Sequence, residues 1–231
     1  MKVRIRFSKT GALVYISHLD IMRYFQKLFR RCDIPVRYSE GFSPHQILSF
    51  SNPLPLGMES TGEYADVELT EPVSSEEALR SLRAQTVPEI EIMSFKELDA
   101  SSENAMAAVK YARYTVKTKD PDVCDIIPDC IRKLTEAENV TVVKKTKKNE
   151  TEINIRPLIA ELAFDNKDNI INMLISSGST DNIKPELVMK ALASFANMTF
   201  KKNDLEIKRI DQYTISDGRI ISLDEIGTWI Q

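Results

Sequence analysis

In the first 32 residues, a segment in which apolar and charged residues alternate precedes a segment with apolar residues at helical spacing. This order restricts the fold more than any other feature of the sequence. Val3, Ile5 and Phe7 alternate with charged residues, which is the period of a β-strand with one buried face. From Ser17, a good N-cap residue with Asp20 three positions later, apolar residues recur at helical spacing. The segment therefore predicts a strand followed by a helix that packs on it.

The rest of the chain extends this pattern into two similar halves. The first half predicts the order β-α-β-β-α-β, and the second repeats it loosely with extra strands. We expect an α+β fold of two tandem ferredoxin-like (β-α-β-β-α-β) domains with antiparallel sheets, in residues 1–98 and 108–231. The small polar segment Leu98–Ala107 is predicted to be the linker. The predicted elements of the second half are a strand at 109–117, a helix at 122–138, two hairpins around 147–149 and 165–168, a helix from Pro185 and a strand at 206–215.

Charge is distributed unevenly along the 231 residues, although the net charge is only −3. Residues 1–50 carry nine basic and three acidic side chains, whereas residues 51–106 carry three basic and twelve acidic ones. This asymmetry is typical of a protein with one basic face, or of neighbouring elements that neutralise each other. No apolar run is long enough to cross a membrane, and the three cysteines are too few for a disulfide framework. We therefore expect a cytoplasmic protein without a membrane partner.

Several catalytic and cofactor motifs are absent from the sequence. It has no phosphate-binding Gly-x-x-x-x-Gly-Lys-Ser/Thr loop, no Gly-x-Gly-x-x-Gly turn and no Gly-x-Ser-x-Gly elbow. Two histidines and three scattered cysteines do not form a conventional zinc site. We therefore predict no cofactor and no metal. We assign no catalytic residue beyond two weak candidates, His18 and His45, each of which could instead be an ordinary hydrogen-bonded side chain.

Two neighbouring segments concentrate the side chains that could bind a ligand. The predicted first helix carries a stripe of cations that could hold phosphate groups, although such a stripe is also typical of a solvated helix face. A loop rich in proline and glycine follows it, and its polar and aromatic side chains could bind or stack on a base. The predicted phosphate-binding residues are Arg23, Lys27, Arg30, Arg31 and Arg37. The predicted ligand loop comprises Ser39, Glu40, Gly41, Phe42, Ser43 and His45.

Three stretches of the chain resemble a bacterial radical SAM-linked family. They are FSKTGALVYISHLDIMRYFQKLFRR, GFSPHQILSFSNPLPLGMESTGEYADVEL and INIRPLI. Members of that family are domains of unknown function that occur alone or fused to the C-terminus of radical SAM proteins. The resemblance implies a role with a radical SAM enzyme, near RNA or ribosome maturation. The chain itself lacks the Cys-x-x-x-Cys-x-x-Cys loop of such enzymes, so the radical SAM enzyme would be a partner.

Three functions are compatible with these observations. The first is a non-catalytic RNA-binding or substrate-presenting module that acts with a radical SAM enzyme. The second is a metal-free RNA-processing enzyme that uses His18 or His45. The third is a pure protein-interaction domain whose docking surface is the acidic region 51–106. The sequence leaves enzymatic activity open and favours a chain that is not an enzyme on its own.

Overall fold

The computed structural model describes residues 1–118, 125–145, 150–200 and 204–231. Over these residues the chain is a mixed α/β protein whose strands form a large, mostly antiparallel sheet. Its internal contacts divide it into two compact units, Met1–Val109 with Asp211–Gln231, and Lys110–Ile210. The C-terminal residues from Asp211 therefore group with the first unit, whereas the sequence pattern assigns residues 108–231 to one domain.

The first unit contains the order of strands and helices that the sequence predicts. Its sheet order is β12-β4-β1-β3-β10, with β2 paired to β3 and β11 to β10. Strand β10 passes from the second unit into the first at Asp211. The elements are β1 (Lys2–Lys9), α1 (His18–Arg31), β2 (Leu48–Phe50), β3 (Glu59–Glu68), α2 (Ser75–Gln85), β4 (Ile92–Leu98), α3 (Ala105–Ala108), β10 (Leu205–Ser216), β11 (Arg219–Ser222) and β12 (Thr228–Trp229).

One face of this sheet packs against α1 and α2 in a hydrophobic core. The alternation in β1 places Val3, Ile5 and Phe7 on that face, and all three are buried. Helix α1 contributes its apolar stripe, and its first turn is capped as predicted, because the Ser17 hydroxyl accepts a hydrogen bond from the Asp20 N–H. Phe25 of α1 contacts Phe7 ring to ring, with centroids 4.6 Å apart. This core fixes the direction of α1 relative to the sheet.

The other face of the sheet is also buried, which corrects the expectation that β1 has one buried face. Arg4 lies on this face, is only 2% exposed and forms a bidentate pair with Asp66 of β3. A second small hydrophobic cluster covers the same side and includes Tyr64, Ala105 and Leu223. Arg4 and Arg6 of β1 therefore bind carboxylates within the unit, because α3 and the C-terminal segment cover this face.

The predicted linker runs into the short helix α3, whose first and last residues, Ala105 and Ala108, are buried. Asn104 caps this helix by accepting a hydrogen bond from the Ala107 N–H. Asp66 accepts a further hydrogen bond from the Ala105 N–H at 2.7 Å. The carboxylate that neutralises Arg4 thus also anchors the chain between β4 and the second unit, so this segment is packed and is not a free tether.

The second unit also follows the predicted order, with one separate hairpin. Its sheet order is β10-β5-β9-β8, and β6 pairs only with β7 among the described residues. The predicted helix at 122–138 is found at Ile127–Glu136, while residues 119–124, including Cys124, and the predicted turn at 147–149 lie outside the described residues. The elements are β5 (Tyr111–Thr118), α4 (Ile127–Glu136), β6 (Thr141–Lys145), β7 (Glu150–Asn154), β8 (Ile159–Asp165), β9 (Ile170–Ser176) and α5 (Pro185–Phe195).

Candidate nucleic-acid interface

Helix α1 presents three of the predicted phosphate-binding cations on one exposed face. Successive residues of an α-helix are rotated by roughly 100°, so Arg23, Lys27 and Arg30 lie within about 60° of each other, opposite the buried stripe. Arg31 is directed elsewhere: its guanidinium donates to the Gln85 carbonyl of α2 and lies 6.0 Å from the Tyr24 ring. The structure therefore brings three of the four helix cations together.

These cations have few acidic neighbours. Arg23 approaches Asp20 at 3.4 Å, and both side chains are more than half exposed. Arg37 lies 3.7 Å from Glu68, again at the surface. Within the part of the chain that the structure describes, neither Lys27 nor Arg30 has a carboxylate within ion-pair distance. Because exposed pairs contribute little energy, the positive charge of this face stays available to an anionic ligand.

The predicted ligand loop is the tip of a narrow hairpin that spans residues 37–47. The Ser39 N–H donates to the His45 carbonyl at 2.8 Å, and the Ile47 N–H donates to the Arg37 carbonyl at 2.9 Å. The Arg37 N–H in turn donates to the Glu68 carbonyl at the end of β3. The hairpin is thus anchored at its base to the sheet and projects its tip outward.

The tip exposes an aromatic side chain to solvent. Gly41 has a φ of +109°, a conformation that a residue with a Cβ rarely adopts. The next residue, Phe42, is fully exposed, and its neighbours Glu40, Ser43 and His45 are exposed as well. A phenylalanine in this position buries nothing within the chain, so its ring is free to stack on another molecule.

Ser39 and His45 close the tip from inside. The Ser39 hydroxyl accepts a hydrogen bond from the His45 N–H at 3.1 Å, and it lies 2.9 Å from the ring Nδ1 of His45. One nitrogen of the His45 ring is therefore occupied by a structural contact. This arrangement supports a positioning role for His45 in the hairpin.

The hairpin and the basic face of α1 meet at one backbone carbonyl. The Gln26 carbonyl accepts from Arg30 Nε at 3.2 Å and from Gln46 Nε2 at 3.3 Å. Gln46 Nε2 also contacts the Tyr38 hydroxyl at 3.3 Å, and Tyr38 is about half exposed. The base of the hairpin, with Tyr38, therefore lies beside the basic face of α1, and Phe42 lies at the tip of the same hairpin. We name this region the α1–hairpin surface and define it by Arg23, Lys27, Arg30, Tyr38 and Phe42.

His18 has a different environment from His45. Its ring meets Phe50 edge to face, with centroids 5.4 Å apart, and it lines a small cavity with Lys9 and Glu63. Burial lowers the pKa of His18, the Lys9 ammonium lowers it further, and the Glu63 carboxylate acts in the opposite direction. The ring is therefore held neutral near pH 7. The two histidine candidates thus belong to separate sites.

The sequence patterns did not identify Lys9, Gln46 or Glu63 as site residues. Glu63 shares a strand face with Ala65 and Val67, which are buried in the core. A charged residue at a core position of a strand is the sequence signal that could have identified Glu63 as part of a site. Gln46 carried no such signal, because its contact with Gln26 joins two segments only in the folded chain.

Two other kinds of site are absent from the described residues. No group of three or more histidine, cysteine or acidic side chains in them is placed to hold a metal ion. No helix among them is long and apolar enough to span a bilayer. Cys32 and Cys130 are free thiols, whereas Cys124 lies outside this part of the chain.

The structure defines an α/β protein of two units with an exposed basic and aromatic surface on the first. The chain belongs to a bacterial family described as "Uncharacterized protein conserved in bacteria (DUF2344)", whose profile matches residues 2–185. That description states no ligand, reaction or partner. A comparison with curated proteins finds no match.

Proposed function

We propose that the protein is a non-catalytic RNA-binding module that holds single-stranded RNA on the α1–hairpin surface. The observation that carries the proposal is the exposed ring of Phe42 on a hairpin that shares the Gln26 carbonyl with Arg30. An exposed aromatic ring together with Lys27 and Arg30, neither of which has a carboxylate within ion-pair distance among the described residues, matches the two requirements of single-strand binding, which are a stacking face and phosphate neutralisation.

Energetics favour a ligand over a purely structural role for these residues. Burying a phenylalanine side chain stabilises a fold by roughly 1.5–3 kcal/mol, and Phe42 gains none of this in the isolated chain. Stacking of one base on an aromatic ring contributes about 1–3 kcal/mol. Single strands expose unstacked bases, whereas the bases of a duplex are closed to a ring on a hairpin tip. The surface therefore suits a single strand.

The second part of the proposal concerns fold and partner. In both units the described strands follow the order expected of a ferredoxin-like sheet, β4-β1-β3-β2 in the first and β10-β5-β9-β8 in the second, which supports a tandem ferredoxin-like architecture. The sequence resemblance supports a cytoplasmic role beside a radical SAM enzyme in RNA or ribosome maturation. In that arrangement this chain would present the RNA, and the partner would supply the chemistry.

RNA binding is tested with a labelled single-stranded RNA of about 12 nucleotides by fluorescence anisotropy. We expect the affinity to fall steeply between about 50 and about 200 mM salt. The variant Phe42→Ala should bind about tenfold more weakly, with an unchanged unfolding midpoint. The matched control is Trp229→Ala, which removes another exposed aromatic ring and should bind RNA normally. The centroid of the Trp229 ring lies 5.8 Å from Lys96 Nζ.

Two results would count against this function. Binding that does not depend on salt, or a Phe42→Ala variant that binds as well as the wild type, would remove the α1–hairpin surface from consideration. RNA should also be recovered intact after incubation with the protein. Cleavage that is lost in His18→Ala would instead favour the metal-free RNA-processing enzyme.

The partner is tested separately by co-purification of the full chain with a radical SAM protein from the same organism. We expect a complex at micromolar concentrations that forms with the Phe42→Ala variant as well. Complete separation of the two proteins would contradict the association and would leave the RNA-binding proposal untouched.

A further inference from the structure

The second unit contains a cavity that the proposed function does not use. It is lined by one side of α5, by Val143 of β6 and by residues that follow the helix. Its volume is about 670 Å³, and sites for small molecules typically measure about 300–1,000 Å³. We name it the α5 cavity and define it by Lys184, Leu187, Lys190, Met198, Phe200 and Leu205.

The wall of the α5 cavity is mostly apolar and is incompletely covered by the chain itself. Leu187, Phe200 and Leu205 line it, and each of these residues is half-buried. Met189 and Met198 also line it, and the unbranched, polarizable side chain of methionine adapts to ligands of flexible shape. Removal of apolar surface from water is favourable. An apolar group that enters the cavity is therefore stabilised by the surface that it covers.

The helix side of the α5 cavity is long and offers few hydrogen bonds. The residues of α5 that line it run from Glu186 to Ser194, which is eight positions or about 12 Å along the helix axis. The Ser194 hydroxyl is already used, because it donates to the Ala191 carbonyl at 2.7 Å. A ligand body that is elongated and needs no hydrogen bonds suits this wall. An unbranched alkyl chain has both properties.

The charged side chains of the cavity favour one sign for the polar end of such a ligand. Lys184 and Lys190 both line it and are exposed, and neither has a carboxylate within ion-pair distance in the described part of the chain. One acid, Glu186, lines the same wall, and its Oε2 is shielded from solvent. Two ammonium groups therefore oppose one carboxylate that is partly withdrawn from solvent. This balance favours an anionic group.

We propose that the α5 cavity binds an amphiphile with an unbranched alkyl chain and a terminal carboxylate, which is the chemistry of a fatty acid. The chain covers Leu187, Met198 and Phe200, and the ammonium groups of Lys184 and Lys190 neutralise the carboxylate. The inference does not depend on RNA binding. The residues that line this cavity belong to the second unit, whereas the α1–hairpin surface belongs to the first.

The first test measures the binding of octanoate, decanoate and dodecanoate to the full chain by isothermal titration calorimetry, at concentrations below micelle formation. Two added methylene groups should tighten binding roughly tenfold, because each one buries further apolar surface. Decyltrimethylammonium has a chain of the same length as decanoate and the opposite charge. It should bind about tenfold more weakly than decanoate at low salt. Equal affinities along the chain series, or for the two charges, would overturn the proposal.

The second test fills the cavity from its exposed rim. Ser194→Trp and Thr199→Trp each replace an exposed lining residue by a large ring, and each should weaken decanoate binding at least about tenfold. Two variants are used in case one of them unfolds, which the urea midpoint reports. A folded tryptophan variant that binds decanoate as tightly as the wild type would show that the ligand lies elsewhere.

The third test removes the charges at the cavity. The double variant Lys184→Gln and Lys190→Gln should bind decanoate and decyltrimethylammonium with similar affinity. The control is Arg132→Gln with Lys133→Gln on α4, which removes two exposed cations that do not line the cavity and should keep the preference for decanoate. A preference for decanoate that survives in the cavity variant would contradict the role of the two lysines.

The outcomes for this cavity and for RNA binding are separable. Phe42→Ala should bind decanoate as the wild type does, although it binds RNA more weakly. A wild type that binds RNA with the expected salt dependence but does not bind decanoate would overturn this inference and leave the proposed function standing. A wild type that binds decanoate but no RNA would overturn the proposed function alone.

Discussion

Arginines of β1 and arginines of α1 lie in the same unit but have opposite environments. Arg4 of β1 is almost completely buried, and its guanidinium is held by both oxygens of Asp66 at 2.8 and 3.0 Å. The Arg23 side chain of α1 is 69% exposed, and its contact with Asp20 is long. The charge of Arg4 on β1 is therefore neutralised inside the protein, whereas the charge of Arg23 on α1 remains available at the surface.

This difference follows from what covers each element. The polar side of β1 lies beneath α3 and the C-terminal segment, so each buried cation there needs a carboxylate. Arg6 illustrates the point, because it lies 3.5 Å from both Asp211 and Asp224, which the chain supplies some 200 residues later. The outer face of α1 has no cover within its own unit. Its cations are therefore the ones that a ligand can reach.

The largest effect is expected from breaking the buried pair. Asp66→Ala leaves the Arg4 guanidinium and the Ala105 N–H without the carboxylate that binds them. Removal of one partner of a buried pair typically costs about 3–5 kcal/mol. We therefore expect the free energy of unfolding to fall by about this amount in urea denaturation.

Two further variants make this measurement specific. Arg23→Gln should change the free energy of unfolding by less than about 0.5 kcal/mol, because its ion pair is exposed. Arg4→Met combined with Asp66→Leu should recover most of the loss, since no buried charge then lacks a partner. An Asp66→Ala variant as stable as Arg23→Gln would show that burial does not separate the two kinds of arginine.

A smaller effect, on binding alone, is expected from the exposed cations. The double variant Lys27→Gln and Arg30→Gln should reduce the slope of log affinity against log salt by about 0.7 per cation, as measured with single-stranded RNA. Its unfolding midpoint in urea should match that of the wild type. The control is Arg132→Gln on α4, an exposed arginine that pairs with Asp129 and Glu136 and should leave the slope unchanged. A normal slope in the double variant would mean that phosphates bind elsewhere.

The sequence predicted the elements of the first unit well, for local reasons. The alternation of Val3, Ile5 and Phe7 and the cap at Ser17 depend on neighbouring residues, so β1 and α1 were correctly anticipated. The second buried face could not be predicted in the same way. It exists because Asp211 and Leu223 return to the first unit, and nothing near β1 in the sequence indicates their arrival.

The candidate site likewise has some features that local sequence patterns predicted and others that depend on tertiary packing. Helical periodicity placed Arg23, Lys27 and Arg30 on one face, and glycine and proline content predicted the loop around Phe42. The junction of Arg30 and Gln46 at the Gln26 carbonyl depends on tertiary packing and left no pattern in the sequence. Arg31 shows the limit of periodicity, because it shares the predicted stripe but turns toward Gln85.

His18 is a third case, since it is a potential cation that the fold keeps uncharged. Burial and the nearby Lys9 ammonium lower its pKa, while Glu63 opposes them. As the pH falls below the unfolded value of about 6.5, the unfolded chain takes up a proton first. The folded state is thereby destabilised progressively, until its own ring is protonated at a lower pH. Because the ring is partly exposed to solvent, we expect this loss of stability to be the smallest of the effects predicted here.

This smallest prediction is measured as a difference between two proteins. Urea unfolding is measured for the wild type and for His18→Gln from pH 8 to pH 5. The difference between their free energies of unfolding cancels the contributions of the titrating groups that both proteins share. We expect the stability of the wild type to decline relative to the variant as the pH falls below about 6.5, and the two curves to run parallel above it. Parallel curves over the whole range would show that His18 is as free to take up a proton as a surface residue. The cavity would then have no more influence on the charge of His18 than solvent has on the charges of the outer face of α1.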